Sequence, residues 1–344
     1  MKKIILYICR YLGLFWISRV LYRKKLLILC YHGVSVRDEH LWWPGVFMTE
    51  EKFANRLALL KRYRYNVLDL ESAVDALNKN RLPPNTVVLT ADDGYLNSPG
   101  TMVKQCERYG FPLTIYVTSY YSRKSNPVFN VMVQYLFWKT DKKSLVGEFP
   151  FADKLGARHW SLEGDQARIL ANQIIDFGRE HCNEDQRRSL LVVLCEALGM
   201  DFNEMEALGM FMLMGPEEIT GLSEKGVDIQ LHTHRHRFPV DETIAKREIT
   251  ENRDYLEPLV GRKLVHFCYP SGRWDLAHHP WLKSLDVKSA VTLEIGFNSA
   301  GANPLALRRY LDKQDIPEIQ FLAEVSGFAD LARKMRRKVK LLWR

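Results

Sequence analysis

The most informative segment of the chain is Leu89-Thr90-Ala91-Asp92-Asp93-Gly94, in which an apolar run ends in two adjacent carboxylates. The residues just before it, Thr86, Val87 and Val88, continue the apolar run, which is typical of a buried strand. A second such run, 227–231, is followed by His232-Thr233-His234-Arg235-His236. Carboxylates and imidazoles at the ends of separate strands can meet around one metal ion. The pattern therefore favours a metal-dependent hydrolase.

Length and composition indicate a globular protein with a sizeable core. The chain has 344 residues, of which 47% are hydrophobic, enough for one large domain or two small ones. Its six cysteines include no Cys-x-x-Cys pair. Buried free thiols in a reducing compartment are therefore favoured over a disulfide framework.

The two ends of the chain differ in charge from the body. Residues 1–25 and 331–344 each carry seven Lys or Arg and no acidic residue, so the net charge of +8 leaves −6 for residues 26–330. A nucleic-acid enzyme usually spreads its basic residues over its working face. Basic ends interleaved with apolar residues instead favour an anionic membrane surface. Residues 1–25 are predicted to form one basic, apolar helix, either in the membrane interface or docked on the domain. Residues 329–344 are predicted to form a second basic helix, either on the same surface or solvated.

Arg10 and Arg19 interrupt the N-terminal apolar segment. These charges argue against a membrane-spanning helix, and the segment also lacks the pattern of a secretory signal. We therefore expect a cytoplasmic protein, peripheral to the inner face of the membrane.

Short strand-like runs alternate with helical patterns along most of the chain. Helix 49–63 has Thr49 as a candidate N-cap and places Phe53, Leu57 and Leu60 on one face. The predicted strands are 26–31, 87–91, 113–118, 227–231, 265–269, 287–293 and 305–311, and the other predicted helices include 70–78 and 94–109. This alternation favours a parallel α/β barrel or a doubly wound sheet.

The alternation stops between about 122 and 225, where helical patterns at 166–179 and 185–198 indicate a helical insertion. Its aromatic residues are expected to form either sugar-stacking walls or the insertion's own core; they include Phe129, Tyr135, Phe137, Trp138 and Trp160.

Polar or turn-forming residues follow four of the predicted strands: His32, Asp92-Asp93, His232 and Tyr269-Pro270-Ser271-Gly272. In parallel α/β folds the carboxyl ends of the strands carry the chemistry. Asp93, His232 and His236 would supply three ligands to a metal and leave one position open. The four-residue spacing of the histidines would put both rings on one face of a helical turn. Asp92 would act as general base, and Gly94 would allow the turn that separates the two carboxylates.

These motifs together resemble the polysaccharide deacetylase family, the NodB-like carbohydrate esterases of family 4. Thr90-Ala91-Asp92-Asp93-Gly94 resembles the family's Thr-Phe-Asp-Asp-Gly, and the segment 232–236 matches its His-(Ser/Thr)-x-x-His. Phe267-Cys268-Tyr269-Pro270-Ser271-Gly272 resembles its third motif. Cys30-Tyr31-His32-Gly33-Val34 is similar to its opening strand. The resemblance covers roughly residues 26–120 and 214–328.

The resemblance implies a distorted (β/α)7 barrel, spanning 26–328 with the insertion, of the NodB deacetylase type. It implies Asp92 as base and Asp93, His232 and His236 as ligands of one divalent metal ion, with zinc expected. The substrate would be an N-acetylated, or otherwise N-acylated, amino sugar, and a backbone N–H near Ser271 would help to hold the oxyanion. Tyr269, His32 and Arg309 are further candidates for the pocket.

The chain departs from the family pattern at two places. Cys268 stands where many members have an arginine that tunes the base, so Arg273, Arg308 or Arg309 would take that role if any residue does. The family's late histidine, the general acid, has no matching motif; His32, His278 and His279 are the candidates.

The sequence thus predicts a deacetylase of an amino sugar in a lipid-linked or nascent cell-envelope glycan. A catalytically inactive glycan-binding or scaffold protein on the same barrel is the alternative, and a metal amidase for a small non-sugar amide is a third. The predicted partners are the glycan or glycolipid and an anionic membrane surface, with no nucleic acid.

Overall fold

The computed structural model describes residues 2–342. Twelve strands occur among these residues: β1 Leu27–Tyr31, β2 Gly33–Val34, β3 Phe47–Met48, β4 Asn66–Val67, β5 Thr86–Ala91, β6 Thr114–Val117, β7 Ser144–Val146, β8 His159–Ser161, β9 Asp228–Leu231, β10 His266–Cys268, β11 Ser289–Val291 and β12 Tyr310–Leu311.

The α-helices of the described residues number seventeen: α1 Lys2–Tyr11, α2 Leu14–Tyr22, α3 Glu39–Trp42, α4 Glu50–Arg62, α5 Leu70–Asn78, α6 Asn97–Tyr109, α7 Ser119–Lys124, α8 Phe129–Lys139, α9 Ala152–Leu155, α10 Gln166–His181, α11 Glu184–Ala197, α12 Phe202–Ala207, α13 Pro216–Glu224, α14 Glu242–Val260, α15 His278–Ser284, α16 Glu318–Val325 and α17 Phe328–Leu342.

Seven parallel strands form a curved sheet in the order β11-β10-β9-β6-β5-β1-β12, with β4 added beside β5. The centre of the sheet is apolar on both faces, since every residue of β1 and β5 is buried, as expected for a parallel sheet covered by helices. A bridge between Val291 and Leu307 brings the two edges of the sheet together. The predicted distorted (β/α)7 barrel is confirmed.

The helices that pack on the barrel largely follow the predicted pattern. Thr49 caps α4, its side chain accepting a hydrogen bond from the backbone N–H of Lys52 at 3.2 Å. Helix α6 ends at Gly110, which adopts the left-handed conformation that favours glycine at this position. Because the barrel strands pair in parallel, the loops after β1, β5, β9 and β10 lie together at one edge of the sheet.

The insertion lies between β6 and β9 and has its own hydrophobic core. Phe129, Tyr135 and Phe137 are buried in this core and Trp160 packs against it, whereas Trp138 is 44% exposed. Most of the predicted aromatic set is therefore core rather than a sugar-binding wall.

The N-terminal segment differs from the single helix predicted over 1–25. The described residues form two helices, α1 and α2, whose axes are bent by 78°. The break falls at Gly13, which has a φ of 76°, a conformation that interrupts an α-helix and that glycine adopts at little cost. No single described helix is long and apolar enough to cross a membrane, although α1 and α2 taken together meet that length and composition test.

At the other end, α17 begins at Phe328. It is attached to α2 through Tyr22, whose hydroxyl donates to Asp330 at 2.8 Å. The predicted helix over 329–344 includes Trp343 and Arg344, which lie outside the described residues, as does Met1 of the N-terminal prediction.

Candidate active site and metal centre

The two adjacent carboxylates face different surroundings because the backbone turns sharply after β5. Asp93 has a φ of 70° and Gly94 a φ of 82°, both in the left-handed region that most residues avoid. The turn leaves Asp92 buried beneath the sheet edge and brings Asp93 to the edge itself. The sequence predicted a turn made possible by Gly94 alone. In the structure both Asp93 and Gly94 adopt the left-handed conformation.

Asp93 meets the two histidines of the second motif. Its Oδ1 atom lies 3.2 Å from Nε2 of His232 and 3.3 Å from Nε2 of His236. One ligand atom from each residue lies within 4.8 Å of the others. Three atoms bound to one zinc ion at about 2.0–2.2 Å would be separated by about 3.4 Å, so the donor set and its spacing fit a divalent cation.

The ring of His232 is held in the orientation that directs Nε2 toward Asp93. Its Nδ1–H donates to the carbonyl oxygen of Cys268 at 2.8 Å, and its backbone N–H donates to the side chain of Asn252 at 3.0 Å. A hydrogen bond from the ring nitrogen that does not bind the metal fixes the tautomer of metal-binding histidines. Asn252 is fully buried and also donates to the carbonyl of Val117 at 3.0 Å. The sequence analysis missed this residue, because a polar position inside α14 gives no signal without the fold.

The segment between the two histidines is not helical, so the predicted helical turn is wrong. Thr233 and His236 have φ values of 65° and 52°, which belong to an irregular loop. The rings nevertheless converge, with their centroids 4.9 Å apart. His234 is directed elsewhere, its Nδ1 lying 2.9 Å from the hydroxyl of Ser119.

Asp92 forms a buried, two-pronged ion pair with Arg309. The Nη1 and Nη2 atoms of Arg309 each donate to one carboxylate oxygen at 2.7 Å, and both side chains are almost fully buried. Burial by itself would raise the pKa of Asp92, but the charge and hydrogen bonds of Arg309 hold it well below its usual range. The carboxylate is therefore ionised at neutral pH.

Of the three arginines proposed to replace the missing one, only Arg309 approaches Asp92. Arg308 is half exposed and lies 3.5 Å from Glu294, and Arg273 is exposed. Arg309 was also a candidate for the substrate pocket, but its buried guanidinium is occupied by Asp92 and by the carbonyl of Thr292 at 2.9 Å. It positions a carboxylate and does not line the pocket.

Further neighbours of Asp92 include His232, His32 and two cysteines. Nε2 of His32 lies 3.9 Å from Oδ2 of Asp92. The thiols of Cys30 and Cys268 lie 3.5 Å and 3.3 Å from the same oxygen. Burial raises the pKa of both thiols well above the usual value, so they remain neutral and can donate weakly to the carboxylate.

The other predicted residues have different surroundings. Tyr269 is fully buried and its hydroxyl donates to the carbonyl of Leu305 at 2.9 Å, so it belongs to the core rather than to a pocket. Ser271 lies exposed in the turn after β10 with a φ of 55°. His278 is buried against Phe238, and His279 stacks on Trp274.

A cavity of about 290 Å³ opens beside Asp93 and His236. The barrel supplies one wall and the insertion another; the lining includes Trp43, Tyr95, Tyr121, Asn130, Arg179 and Arg235. The guanidinium of Arg235 is paired with Glu248 and Glu251. The insertion thus shapes the space in front of the cluster, although the residues that line it are not the five aromatic residues that the sequence analysis named.

We compared the sequence and the fold of the chain with those of known proteins. The family model described as polysaccharide deacetylase matches residues 198–290, which include β9, both clustered histidines and β10. The resemblance to the polysaccharide deacetylases is confirmed. No curated protein matches this deacetylase-like chain significantly in sequence.

Solved deacetylase structures share the fold. Streptococcus pyogenes deacetylase PplD, solved in complex with acetate, is 18% identical with a TM-score of 0.56, over 88% of this chain and 98% of PplD. IcaB from Ammonifex degensii is 18% identical with a TM-score of 0.54, over 88% of this chain and 97% of IcaB. The de-N-acetylase from Aggregatibacter actinomycetemcomitans is 13% identical with a TM-score of 0.52, over 86% of this chain and 98% of that enzyme.

Proposed function

We propose that this chain is a metal-dependent hydrolase that removes an N-acetyl or related acyl group from an amino sugar of a cell-envelope glycan. The observation that carries the proposal is the convergence of Asp93, His232 and His236 at the mouth of a cavity, with the ionised Asp92 beside them. A carboxylate and two imidazoles that leave a further position open are the donor set of a catalytic zinc site.

A divalent ion in this cluster would polarise the acyl carbonyl and favour deprotonation of the attacking water. Asp92 takes the proton of that water as general base. Its bond to Arg309 keeps the carboxylate ionised and fixes its orientation, so the base is ready before substrate binds. Arg309 therefore acts through Asp92 as a positioning residue.

Cleavage of the carbon–nitrogen bond requires a proton on the departing amine. Among the three candidate histidines, His32 borders Asp92, whereas His278 and His279 face other parts of the protein. The Nδ1 atom of His32 is buried without a hydrogen-bond partner among the described residues. We assign the proton donation to His32. We propose the backbone N–H of Ser271 as the donor for the oxyanion, because the turn after β10 is at the same sheet edge as the residues that follow β5 and β9.

The cavity supports a sugar substrate. Trp43 and Tyr121 offer aromatic faces, and Asn130 offers an amide that can donate to and accept from hydroxyl groups. Apolar walls with a few polar groups are usual in binding sites for small organic groups. The basic, apolar ends of the chain support a lipid-linked or nascent glycan as the source of that sugar.

Acetate release from N-acetylated oligosaccharides and lipid-linked sugars, measured by mass spectrometry, tests the proposal. The wild type is expected to release acetate, and Asp92→Asn to lower kcat by at least about a hundredfold, the usual contribution of a general base. Asp254→Asn, a change at an exposed position on α14, serves as the matched control and keeps full activity.

Two results would contradict the proposal. Full activity in Asp92→Asn would remove Asp92 from the base role. Binding of glycan by a metal-loaded wild-type protein that releases no acetate would instead support the glycan-binding scaffold.

A further inference from the structure

The first two helices expose most of their apolar side chains. Phe15 and Tyr22 are buried, and Leu6 and Cys9 pack against the main core, so one face of each helix is anchored to the domain. Ten large apolar residues of this segment have exposed fractions between 43% and 92%: Ile4, Ile5, Tyr7, Ile8, Tyr11, Leu12, Trp16, Ile17, Val20 and Leu21. An apolar surface of this kind marks an interaction site.

Exposed basic side chains accompany this apolar surface. Residues 1–25 contain seven basic and no acidic residues, and Lys3, Arg23 and Lys24 are exposed. Helix α17, which packs beside α2, adds the exposed side chains of Met335, Arg336 and Arg337. Exposed apolar residues together with exposed cations are the composition of helices that lie in an anionic membrane interface.

The surface lies at the opposite end of the barrel from the candidate active site. Arg19 donates to the backbone carbonyls of Tyr63 and Arg64, just before β4. The N–H of Asn85, directly before β5, donates to the carbonyl of Arg23 at 2.8 Å. Both contacts are at the amino ends of the strands, whereas Asp92 and His232 follow their carboxyl ends.

We propose that α1 and α2 form a membrane-docking surface that lies flat in the interface of an anionic bilayer, with the candidate active site facing away from it. Neither helix is long enough to span a bilayer, and each is fastened to the domain by its other face. A second copy of this chain is a poorer occupant, because a symmetric contact would bring two sets of basic residues together.

The orientation also constrains the substrate, provided that the proposed deacetylase function holds. Strand β5 has six residues, so at about 3.3 Å per residue the two ends of the barrel are about 20 Å apart. The sugar that reacts must therefore stand away from the bilayer surface, as the outer residues of an extended glycan do. Membrane docking itself does not depend on catalysis.

Flotation of the full-length protein with lipid vesicles tests this docking. The wild type should float with vesicles that contain phosphatidylglycerol, less with phosphatidylcholine alone, and less at high salt. The variant Ile8→Ser/Ile17→Ser/Val20→Ser/Leu21→Ser should lower the bound fraction at least about tenfold, since it removes apolar contact with the interface. Its thermal unfolding should match the wild type, because none of the four side chains is buried.

The matched control is Val146→Ser/Ile169→Ser/Val192→Ser/Val193→Ser, which removes four exposed aliphatic residues from the insertion and should float like the wild type. Equal flotation of the α1–α2 variant and the wild type would overturn the proposal. So would concentration-dependent dimerisation abolished by that variant, which would assign the surface to a second copy. Retention of the wild type in membranes after alkaline carbonate extraction would overturn the interfacial arrangement in favour of a spanning one.

Acetate release from a small, soluble N-acetylated sugar separates docking from catalysis. The α1–α2 variant should retain wild-type activity in this assay. Absence of activity in both proteins would count against the deacetylase function and leave the docking result intact.

Discussion

At the scale of single residues, neighbouring side chains of the same type serve different purposes because the backbone directs them apart. Asp93 lies at the sheet edge with two histidines, and Asp92 lies beneath it with Arg309. Arg308 and Arg309 differ in the same way, since adjacent residues of an extended segment point to opposite sides. Arg309 enters the barrel and Arg308 faces solvent.

The pairing of Asp92 with Arg309 leads to a stability prediction. Arg309→Met would leave a buried carboxylate without its partner, which costs about 3–5 kcal/mol of unfolding free energy. Arg308→Met, the adjacent control, removes only a half-exposed contact and should cost less than about 1 kcal/mol. Urea denaturation of both variants at neutral pH measures the difference, and equal losses would show that the buried pair has no special contribution.

The sequence could predict which motif residues lie near one another. It could not predict which side chains surround each of them. Asp92, Asp93, His232 and His236 follow strand ends, and parallel topology brings such ends to one edge. The choice among Arg273, Arg308 and Arg309 remained open because it depends on side-chain direction in a strand of uncertain register. The burial of Tyr269 was not predicted, because it depends on packing against Phe238 and His278, which come from other elements.

At the scale of elements, the barrel strands were predictable because each is a short apolar run bounded by turn residues. The antiparallel pair β7–β8 and the strand β4 were not predicted, because they do not lie in longer apolar runs like those that mark β10, β11 and β12. The bend between α1 and α2 also escaped prediction, although Gly13 marks it. The loop 232–236 shows that four-residue spacing can bring two rings together without a helix.

The insertion is attached to the barrel through the loop after β2. Asp38, at the start of α3, accepts a hydrogen bond from the hydroxyl of Tyr135 at 2.6 Å and pairs with Lys139, both on α8. Burial would raise the pKa of Asp38, but the bonds from Lys139 and Tyr135 lower it below its usual value. Because α8 contributes Val131 to the cavity wall, this attachment also positions the pocket.

This attachment should depend on pH. A carboxyl group whose pKa is lowered by folding stabilises the protein above its unfolded pKa of about 3.9, and this contribution is lost as the pH falls through the folded value. Asp38→Asn should therefore lower stability by about 1 kcal/mol at pH 7 and by progressively less in acid. Thermal unfolding from neutral to acidic pH measures the effect. Asp153→Asn, at an exposed ion pair, is the control, and a pH-independent loss in Asp38→Asn would contradict the account.

At the scale of the whole molecule, the two ends of the barrel carry different features. The apolar, basic surface of α1 and α2 lies at the amino ends of the strands, and the candidate metal cluster lies at the carboxyl ends. The insertion covers part of the second end and walls the cavity. The body between residues 26 and 330 carries a net charge of −6, so positive charge is concentrated where we place the membrane.

The most direct test of the account is calorimetric titration of the metal-free full-length protein with Zn²⁺. We predict one ion per chain for the wild type and for Asp92→Asn, because Asp92 is not a ligand. His236→Ala, at a partly exposed position, should weaken binding by more than the roughly hundredfold seen when only an outer partner of a ligand is lost. His159→Ala, at an exposed histidine of β8, should bind like the wild type. A wild type that binds no ion, or a His236→Ala variant that binds as tightly as the wild type, would contradict a metal centre formed by Asp93, His232 and His236.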